Sequence, residues 1–492
     1  MIKSQNGGEN MSAFIRIFSL FLSFIVGFFS FPMSFLPCET SEDFRIAKGD
    51  CTVDSIIFNG KPLKAETECD VIFNDDGSVS FSENYKINFN GFTLGWFNYF
   101  GISYRSDAYI KGTLCYRTGV IEKSEDFFLE SCKTDSEFYS FIDNCLDKTK
   151  ANAVVSIEFH PLDKDNAMFS LFGISVFNRD VPDREIYIEN DNYKLGIDLL
   201  WGGALSYLED KNSDVEAVSV DNIIKVDSNA SKRYNSESVN SNVNLINRFD
   251  AGRLVQQSYY GTTSDSYDPG IFMGNVWSYN PVQGGNQFND SSKIVDLRVS
   301  ESSVYIKCRP LDWAKPKEAI TPSYMEATYE FKGNTVHASC RFVDCSEKCN
   351  TEPRTQEIPA FYCIEPLNNF IYYSGDNPWS GEKLTTIDNL IFWPDAGYPN
   401  YVSKENWAGF RGEFEDSFGI GIFVPDETSF LTGVYERGTA TSADPSVDSA
   451  TSYIAVTKDV ILKHYEPFGY EFYITTGDSD EIRGNFNEII NF

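Results

Sequence analysis

The sequence predicts an all-β protein in two domains, and three observations lead to this prediction. Short runs rich in Ile, Val, Phe and Tyr alternate with turn-forming Asn, Asp, Gly and Pro from residue 55 almost to the C-terminus. Long stretches of helical periodicity are nearly absent. The 492 residues exceed one ordinary core, and with 42% hydrophobic residues they can fill two.

The N-terminal residues 1–37 are predicted to be a signal peptide or a signal anchor. Residues 17–36 are apolar apart from scattered serines, and Lys3 and Arg16 precede them. The apolar run is about as long as a bilayer is thick, so cleavage and retention as an anchor both remain open. Either outcome makes the protein extracytoplasmic, as a secreted or a membrane-anchored chain.

The first domain is expected at residues 45–180. Strand patterns at residues 108–116, 153–159 and 169–177 follow one another with turns between them. Residues 135–146 place Phe138, Phe141 and Ile142 on one face at helical spacing, which predicts a short helix. Many strands with little helix favour a jelly-roll β-sandwich.

The second domain is expected at residues 186–492, after a polar linker at residues 178–184 that contains Pro182. Strand patterns recur here up to residue 474. Roughly 300 residues of strand exceed a simple sandwich. We therefore expect a many-stranded supersandwich.

Eleven cysteines follow the apolar N-terminal segment. In an oxidising compartment they predict disulfide bonds within each domain and one thiol left over. Cys340, Cys345 and Cys349 lie close in sequence but lack the histidine pair or second Cys-x-x-Cys of a zinc site, so no metal or cofactor is predicted. Asn229 and Asn289 begin glycosylation sequons, which predict a glycoprotein.

The formal net charge of −31 argues against a nucleic acid partner or an anionic membrane surface. Only three histidines occur, and the sequence has no Gly-x-Ser-x-Gly elbow, phosphate loop or His-Glu-x-x-His motif. Serine hydrolases, nucleotide hydrolases and zinc proteases are therefore excluded.

The second domain resembles the galactose mutarotase-like, or aldose epimerase-like, superfamily. Residues 200–208 are similar to the strand that opens its supersandwich, and residues 327–342 are similar to its paired strands across a turn. Gln283 and two glycines stand where that superfamily often carries His-Gly-Gly. The resemblance covers residues 186–480 and implies a concave surface that faces carbohydrate, whereas Gln283 in place of histidine argues against epimerase activity. Fold alone does not choose among epimerases, lyases, hydrolases and binding domains.

Two polar and aromatic blocks, at residues 247–261 and 277–286, predict a carbohydrate site. Carboxylates and amides hydrogen-bond sugar hydroxyls, and aromatic rings cover the apolar face of a sugar. The alternative is that Asp250 and Arg253 form an ion pair and that the glycines only serve turns. The residues predicted to bind substrate are Asp250, Arg253, Gln256, Tyr259, Trp277, Gln283, Asp376, Trp379 and Trp407.

Glu326 and Glu357 are the predicted catalytic pair, because each interrupts an apolar or turn-rich context where partial burial would raise its pKa. Such a pair predicts a glycoside hydrolase or a polysaccharide lyase. The alternatives are a non-catalytic glycan-binding cell-surface protein and a surface scaffold. The hypothesis requires one pocket to contact at least three of the residues Arg253, Gln283, Glu326 and Glu357.

Overall fold

The computed structural model forms two compact units, Met1–Val181 and Pro182–Phe492, and each is described by itself below. The structure describes residues 43–46, 55–58, 61–64, 66–67, 72–75, 78–81, 84–88, 98–142, 152–177, 181–182, 184–212, 243–261, 268–316, 320–346, 352–394, 397–440 and 444–491.

The first unit consists of short antiparallel strands. They are β1 (Asp43–Ile46), β2 (Ser55–Phe58), β3 (Lys61–Lys64), β4 (Glu66–Thr67), β5 (Ile72–Phe73), β6 (Val79–Phe81), β7 (Tyr85–Asn88), β8 (Tyr99–Ser106), β9 (Ile110–Thr118), β10 (Ile121–Leu129), β11 (Cys132–Phe141), β12 (Asn152–Pro161) and β13 (Phe169–Phe177).

The strands of the first unit have the order of a jelly roll. One sheet runs β11-β8-β13-β1-β2-β3, with β6 also paired to β13 and β5 to β6, and the other runs β10-β9-β12-β7-β4. The last two strands in sequence, β12 and β13, occupy interior positions, one in each sheet. Strands that return to lie between earlier strands in two facing sheets define this fold. The predicted sandwich is confirmed.

Aromatic side chains fill the core of the first unit. The rings of Phe100 on β8 and Phe127 on β10 lie 5.2 Å apart, and those of Phe159 on β12 and Phe169 on β13 lie 5.1 Å apart. Each pair joins one sheet to the other. The core therefore lies between the two sheets, where inward-facing residues of each strand meet.

The helix predicted for residues 135–146 is wrong over its described part. Residues up to Phe141 belong to strand β11, which pairs with β8 from Ser136 opposite Tyr104 to Phe141 opposite Tyr99. The neighbouring strand supplies the backbone hydrogen bonds, and this tertiary pairing overrides the helical spacing of the apolar residues. Residues 143–146 lie outside the described part of the chain.

The second unit is built from further antiparallel strands and one helix in its described part, with a 3₁₀ turn at Leu199–Trp201. The elements are β14 (Glu185–Glu189), β15 (Tyr193–Asp198), β16 (Ala204–Asp210), β17 (Val255–Ser258), β18 (Gly270–Phe272), β19 (Asn275–Trp277), β20 (Pro281–Val282), β21 (Lys293–Val299), β22 (Ser303–Arg309), β23 (Leu311–Asp312), β24 (Ser323–Lys332), β25 (Thr335–Asp344), β26 (Arg354–Ile364), β27 (Asn369–Tyr372), β28 (Thr385–Ile387), β29 (Tyr401–Val402), β30 (Trp407–Arg411), β31 (Gly419–Phe423), β32 (Ser429–Tyr435), β33 (Thr451–Val460), β34 (Phe468–Gly477) and α1 (Ser479–Ile490).

Two large sheets pack face to face in the second unit. The ten-stranded sheet runs β14-β15-β16-β17-β26-β33-β32-β29, with β20 paired to β17 and β23 to β20. The nine-stranded sheet runs β21-β22-β24-β25-β34-β31-β30-β27-β28, and β18 and β19 form a separate hairpin. The ring of Tyr259, directly after β17, lies 4.4 Å from that of Phe342 on β25. The predicted supersandwich is thus confirmed.

Helix α1 was not predicted from the sequence. It packs against the nine-stranded sheet, where Phe486 contacts the rings of Trp407 and Phe423 at 5.8 and 5.6 Å. The Asp478 side chain accepts hydrogen bonds from the first turn, and the Glu481 carboxylate accepts one from the backbone N–H of Asp478. This reciprocal capping box fixes where the helix begins.

No disulfide bond joins the cysteines that the structure describes, which corrects the expected disulfide framework for those positions. Cys308, Cys340 and Cys363 are buried on different strands of the second unit, and burial raises the pKa of the Cys340 thiol to about 12. A thiol with so high a pKa is a poor nucleophile. Five cysteines lie outside the described residues, namely Cys38, Cys51, Cys69, Cys145 and Cys349.

The predicted signal at residues 1–37 and the sequon at Asn229 also lie outside the described residues. Asn289 is exposed, and its side-chain oxygen accepts a hydrogen bond from the backbone N–H of Ala251 at 3.1 Å. Of the helices described, none is long and apolar enough to cross a membrane.

Candidate functional site

A cavity of about 370 Å³ lies against the ten-stranded sheet of the second unit. Strands β17, β26, β32 and β33 form its floor, and hairpin β18–β19 with two loops forms its walls. The lining residues are Gly252, Gln256, Ser258, Tyr260, Phe272, Trp277, Asn280, Val282, Trp313, Thr355, Glu357, Ala360, Tyr362, Phe392, Trp393, Tyr398, Leu431, Tyr453 and Thr457.

Strand alternation decides which residues of β17 reach the cavity. Gln256, Ser258 and Tyr260 line it, because successive side chains of an extended chain point to opposite faces. The residues between them face the other sheet, and Gln257 Nε2 donates to the carbonyl oxygen of Glu326 at 2.9 Å. The cavity therefore lies on the face of the ten-stranded sheet that points away from the nine-stranded sheet.

A β-bulge positions the acidic residue of the floor. Thr355 and Glu357 line the cavity from β26, the pairing register then shifts between Glu357 and Ala360, and Ala360 and Tyr362 line it further along. Pro359 lies inside the bulge and has no backbone N–H to donate to a neighbouring strand. The extra residue keeps side chains on both sides of the bulge directed to the same face.

The walls are aromatic. Hairpin β18–β19 contributes Phe272 and Trp277, whose ring centroids lie 5.1 Å apart. Phe272 also lies 5.9 Å from Trp313 and 6.2 Å from Trp393 in the neighbouring loops. Trp393 is 50% exposed and marks the rim. These edge-to-face contacts hold the rings in fixed orientations around the space.

Glu357 is the acid of the floor. Tyr453 Oη donates to its Oε1 at 2.5 Å, and Tyr260 Oη donates to the same atom at 3.2 Å. Burial raises the pKa of the Glu357 carboxyl, and hydrogen bonds from Tyr453, Ser258 and Tyr260 act against this rise without cancelling it. Since a hydroxyl carries no charge, these donors orient the carboxylate but do not neutralise it.

Both amide side chains among the described lining residues are already hydrogen-bonded within the protein. Gln256 Nε2 donates to the carbonyl of Ala251 at 3.0 Å, and its Oε1 accepts from the N–H of Gly284 at 2.7 Å. Asn280 Oδ1 accepts from Trp277 Nε1 at 3.1 Å, and its Nδ2 donates to the carbonyl of Tyr259 at 2.7 Å. They hold the walls in place, which leaves the carboxylate and the rings to meet a ligand.

Asp250 and Arg253 form the ion pair that the sequence analysis kept as the alternative. Asp250 Oδ1 accepts from the N–H of Gly252 at 2.9 Å, and Arg253 Nη2 donates to the carbonyl of Ser449 at 2.9 Å. Neither side chain lines the cavity, although Gly252 between them does. The pair shapes the turn that borders the site.

Tyr259 and Gln283 point away from the cavity into the core. Tyr259 is fully buried, and its hydroxyl donates to Gln257 Oε1 at 2.8 Å. Gln283 Oε1 accepts from the N–H of Gln257 at 3.2 Å, and its Nε2 donates to the carbonyl of Gly202 at 3.3 Å. Both residues tie loops together inside the supersandwich.

Glu326 lies on β24 of the nine-stranded sheet and does not line the cavity. It forms ion pairs with Lys307 at 3.2 Å and Arg341 at 3.0 Å. Burial alone would raise the pKa of its carboxyl, but the two positive charges outweigh burial and hold the pKa below its ordinary value. The geometry gives no support to a catalytic pair of Glu326 with Glu357.

Asp376, Trp379 and Trp407 lie elsewhere in the second unit and do not line the cavity. Asp376 is exposed. Trp379 packs against the cluster that contains Trp407, which is fully buried and donates through Nε1 to Glu405 Oε2 at 2.9 Å. These tryptophans stabilise the contact with helix α1.

One requirement of the sequence hypothesis is therefore not met. Of Arg253, Gln283, Glu326 and Glu357, only Glu357 lines the cavity, and the other predicted site residues that reach it are Gln256 and Trp277. The prediction missed the rings of Tyr260, Tyr362, Tyr453, Phe392 and Trp393. Strand alternation could have found Tyr260 and Tyr362, since they share a face with Gln256 and Glu357.

Among the described residues, no group of His, Cys, Asp and Glu side chains is arranged to hold a metal ion.

No protein-family model matches the chain, and no curated protein matches it. Among similar solved structures, a galactose mutarotase-like protein from Lactobacillus casei ATCC 334 is 12% identical, with a TM-score of 0.35, over 59% of this chain and 99% of that one. A putative aldose 1-epimerase from Escherichia coli K12 is 9% identical, with a TM-score of 0.32, over 60% and 99%. A GH36 α-galactosidase from Geobacillus stearothermophilus is 13% identical, with a TM-score of 0.30, over 60% and 40%.

Proposed function

We propose that the protein binds carbohydrate and that a sugar residue occupies the cavity over Glu357. The observation that carries this proposal is a partly buried carboxylate enclosed by aromatic rings in a space of about 370 Å³. Binding sites for small ligands are concave and mostly apolar, with a few polar groups that set orientation. The rings suit the C–H faces of a sugar, and the carboxylate accepts hydrogen bonds from its hydroxyls.

Binding without bond cleavage is the version of this function that the site favours. Glycoside hydrolysis by paired carboxylates places them about 5 to 9.5 Å apart across the scissile bond. Glu357 is the one acid among the described lining residues, and Glu326 is held by two basic side chains on the other sheet. We therefore propose a glycan-binding protein in preference to a hydrolase or lyase.

We further propose that the sugar-binding unit acts outside the cytoplasm, as a secreted or membrane-anchored protein. The apolar run at residues 17–36, with Lys3 and Arg16 ahead of it, supports export. Fractionation of producing cells, with N-terminal sequencing of the mature chain, tests this proposal. Recovery of the full-length chain in the cytosolic fraction would refute it.

A glycan array followed by calorimetry on the full chain tests carbohydrate binding. We expect Trp277→Ala to weaken binding of any array hit by about tenfold or more, because a stacking surface is lost. Glu357→Gln tests the carboxylate of the cavity. Asp376→Asn is its matched control, because Asp376 is exposed and lies away from the cavity. Failure to bind any saccharide would contradict the function. Release of new reducing ends from a bound glycan would contradict its non-catalytic version.

A further inference from the structure

Glu357 has no positive partner in the described part of the chain. Its hydrogen-bond donors are the hydroxyls of Tyr453, Tyr260 and Ser258. The lining residues that the structure describes include no Lys, Arg or His. The nearby Arg253 is committed to Asp250 and to the carbonyl of Ser449. Withdrawing a carboxylate from water without a counter-charge costs free energy, which a ligand that brings a positive charge would recover.

The aromatic walls favour the same kind of ligand. The face of an aromatic ring is electrically negative and attracts an organic cation within about 6 Å of its centre. The rings of Tyr362 and Tyr453 stack with centroids 4.5 Å apart beside the carboxylate, and Phe392 lies 5.6 Å from Tyr453. Phe272 contacts the rings of Trp277 and Trp393, which also line the cavity. Carboxylate and rings together resemble the aromatic cages that bind ammonium groups.

The rest of the protein adds to this preference. The formal net charge of −31 raises the local concentration of cations and lowers that of anions. A uronic acid or a sulfated sugar would bring a second negative charge next to Glu357 and would meet no basic lining residue. Anionic sugars are therefore the class that this cavity is least suited to hold.

We propose that the cavity selects a sugar that carries a free amino group, whose ammonium group pairs with Glu357 between the aromatic faces. This inference rests on the proposed function, since it names the class of sugar that the same site takes. N-acetylation would remove the charge and add bulk, so the acetylated form of the same sugar binds more weakly. A neutral sugar keeps the ring contacts but leaves the carboxylate without its counter-charge.

Calorimetry on the full chain near neutral pH tests the inference with four methyl glycosides in both the gluco and galacto series: the 2-amino-2-deoxy sugar, its N-acetyl form, the neutral sugar and the uronic acid. We expect the amino sugar to bind about tenfold or more tightly than the neutral sugar, the size of a desolvated cation–π and charge contact. Glu357→Gln should reduce this preference to about twofold or less, because the amide carries no charge to pair with the ammonium group, so the variant weakens amino-sugar binding more than neutral-sugar binding. Asp376→Asn should leave the preference unchanged.

The possible outcomes separate the inference from the proposed function. Equal binding of amino and neutral sugars would overturn the inference and leave the function standing. No binding of any saccharide, together with binding of choline, would overturn the function and support only a cation site. The series on the unmodified chain decides the matter even if Glu357→Gln fails to fold.

Discussion

Burial changes the acid strength of single residues in the second unit, and Asp312 shows the effect on a measurable scale. It is 3% exposed on β23, next to the cavity residue Trp313. Burial raises the pKa of its carboxyl to about 6, although backbone N–H groups and the charge of Lys315 oppose the rise. The N–H of Asn280, which also lines the cavity, donates to Asp312 at 3.3 Å. This acid thus contacts a residue that lines the proposed binding site.

Asp312 predicts a loss of stability as the pH rises from about 4 to about 6. In this window the folded chain keeps its proton on Asp312 while the unfolded chain releases it, so ionisation favours unfolding. The stabilisation is present below the unfolded pKa and is lost above the folded pKa, and it amounts to roughly 3 kcal/mol. Denaturant unfolding of the parent chain and of Asp312→Asn across this window measures it. Identical pH slopes for the two chains would contradict the assignment.

Glu326 gives a second test at the residue scale. Its side chain is 18% exposed and neutralises Lys307 and Arg341, which are 12% and 34% exposed. Glu326→Gln leaves two basic groups facing an uncharged amide, so we expect a loss of about 1–3 kcal/mol in unfolding free energy. Because Glu326 lies outside the cavity, glycan affinity should remain unchanged. A large loss of affinity at undiminished stability would revive its role as a site residue.

At the scale of elements, the sequence shows which residues of a strand share a face, but it does not show which face points to the core. The run at residues 255–260 fixes that Gln256 and Tyr260 share one face and Tyr259 takes the other. Which face meets the core depends on contacts with β25, more than 70 residues away in sequence. The β-bulge after Glu357 could not be predicted either, because Pro359 was the one sequence feature that indicated it. The all-β class needed only local patterns.

Helix α1 is the opposite case, because its sequence carries a local helix signal that the prediction missed. Asp478 and Glu481 form a capping box, and Ile482, Phe486 and Ile489 follow at helical spacing. The helix has twelve residues and follows a long series of strand patterns, and the prediction missed it. A buried side chain of this helix, Arg483, pairs with Glu405, which makes the contact of the helix with the sheet testable.

Arg483 anchors helix α1 to the nine-stranded sheet through Glu405, which is fully buried. Arg483 Nε donates to Glu405 Oε2 at 3.0 Å. Arg483→Ala strands a buried carboxylate, so we expect a loss of roughly 3–5 kcal/mol in unfolding free energy. Glu488→Ala, at an exposed position of the same helix, is the control. The double variant Arg483→Met with Glu405→Gln should recover part of the loss, and no recovery would argue against the ion pair as its cause.

At the scale of the whole molecule, each unit depends on contacts between residues far apart in sequence. The floor of the cavity joins β17 to β26 and β26 to β33, so its residues span about 200 positions. No local sequence motif contains all the residues of such a site. The two polar blocks in the sequence therefore predicted residues at its border and only part of its lining. Of the predicted catalytic pair, Glu357 lines the cavity, whereas Glu326 lies on the other sheet of the sandwich.

The jelly roll of the first unit also constrains how the nascent chain folds. Strands β12 and β13 each occupy an interior position in one of its two sheets, and they are the last strands of that unit to be synthesised. Until Phe177 has left the ribosome, β8 and β9 lack a neighbour on one side and the aromatic interior stays open to water. Early synthesis therefore brings little benefit to this N-terminal unit, and a chain that ends before Phe169 would present unpaired strand edges that favour aggregation.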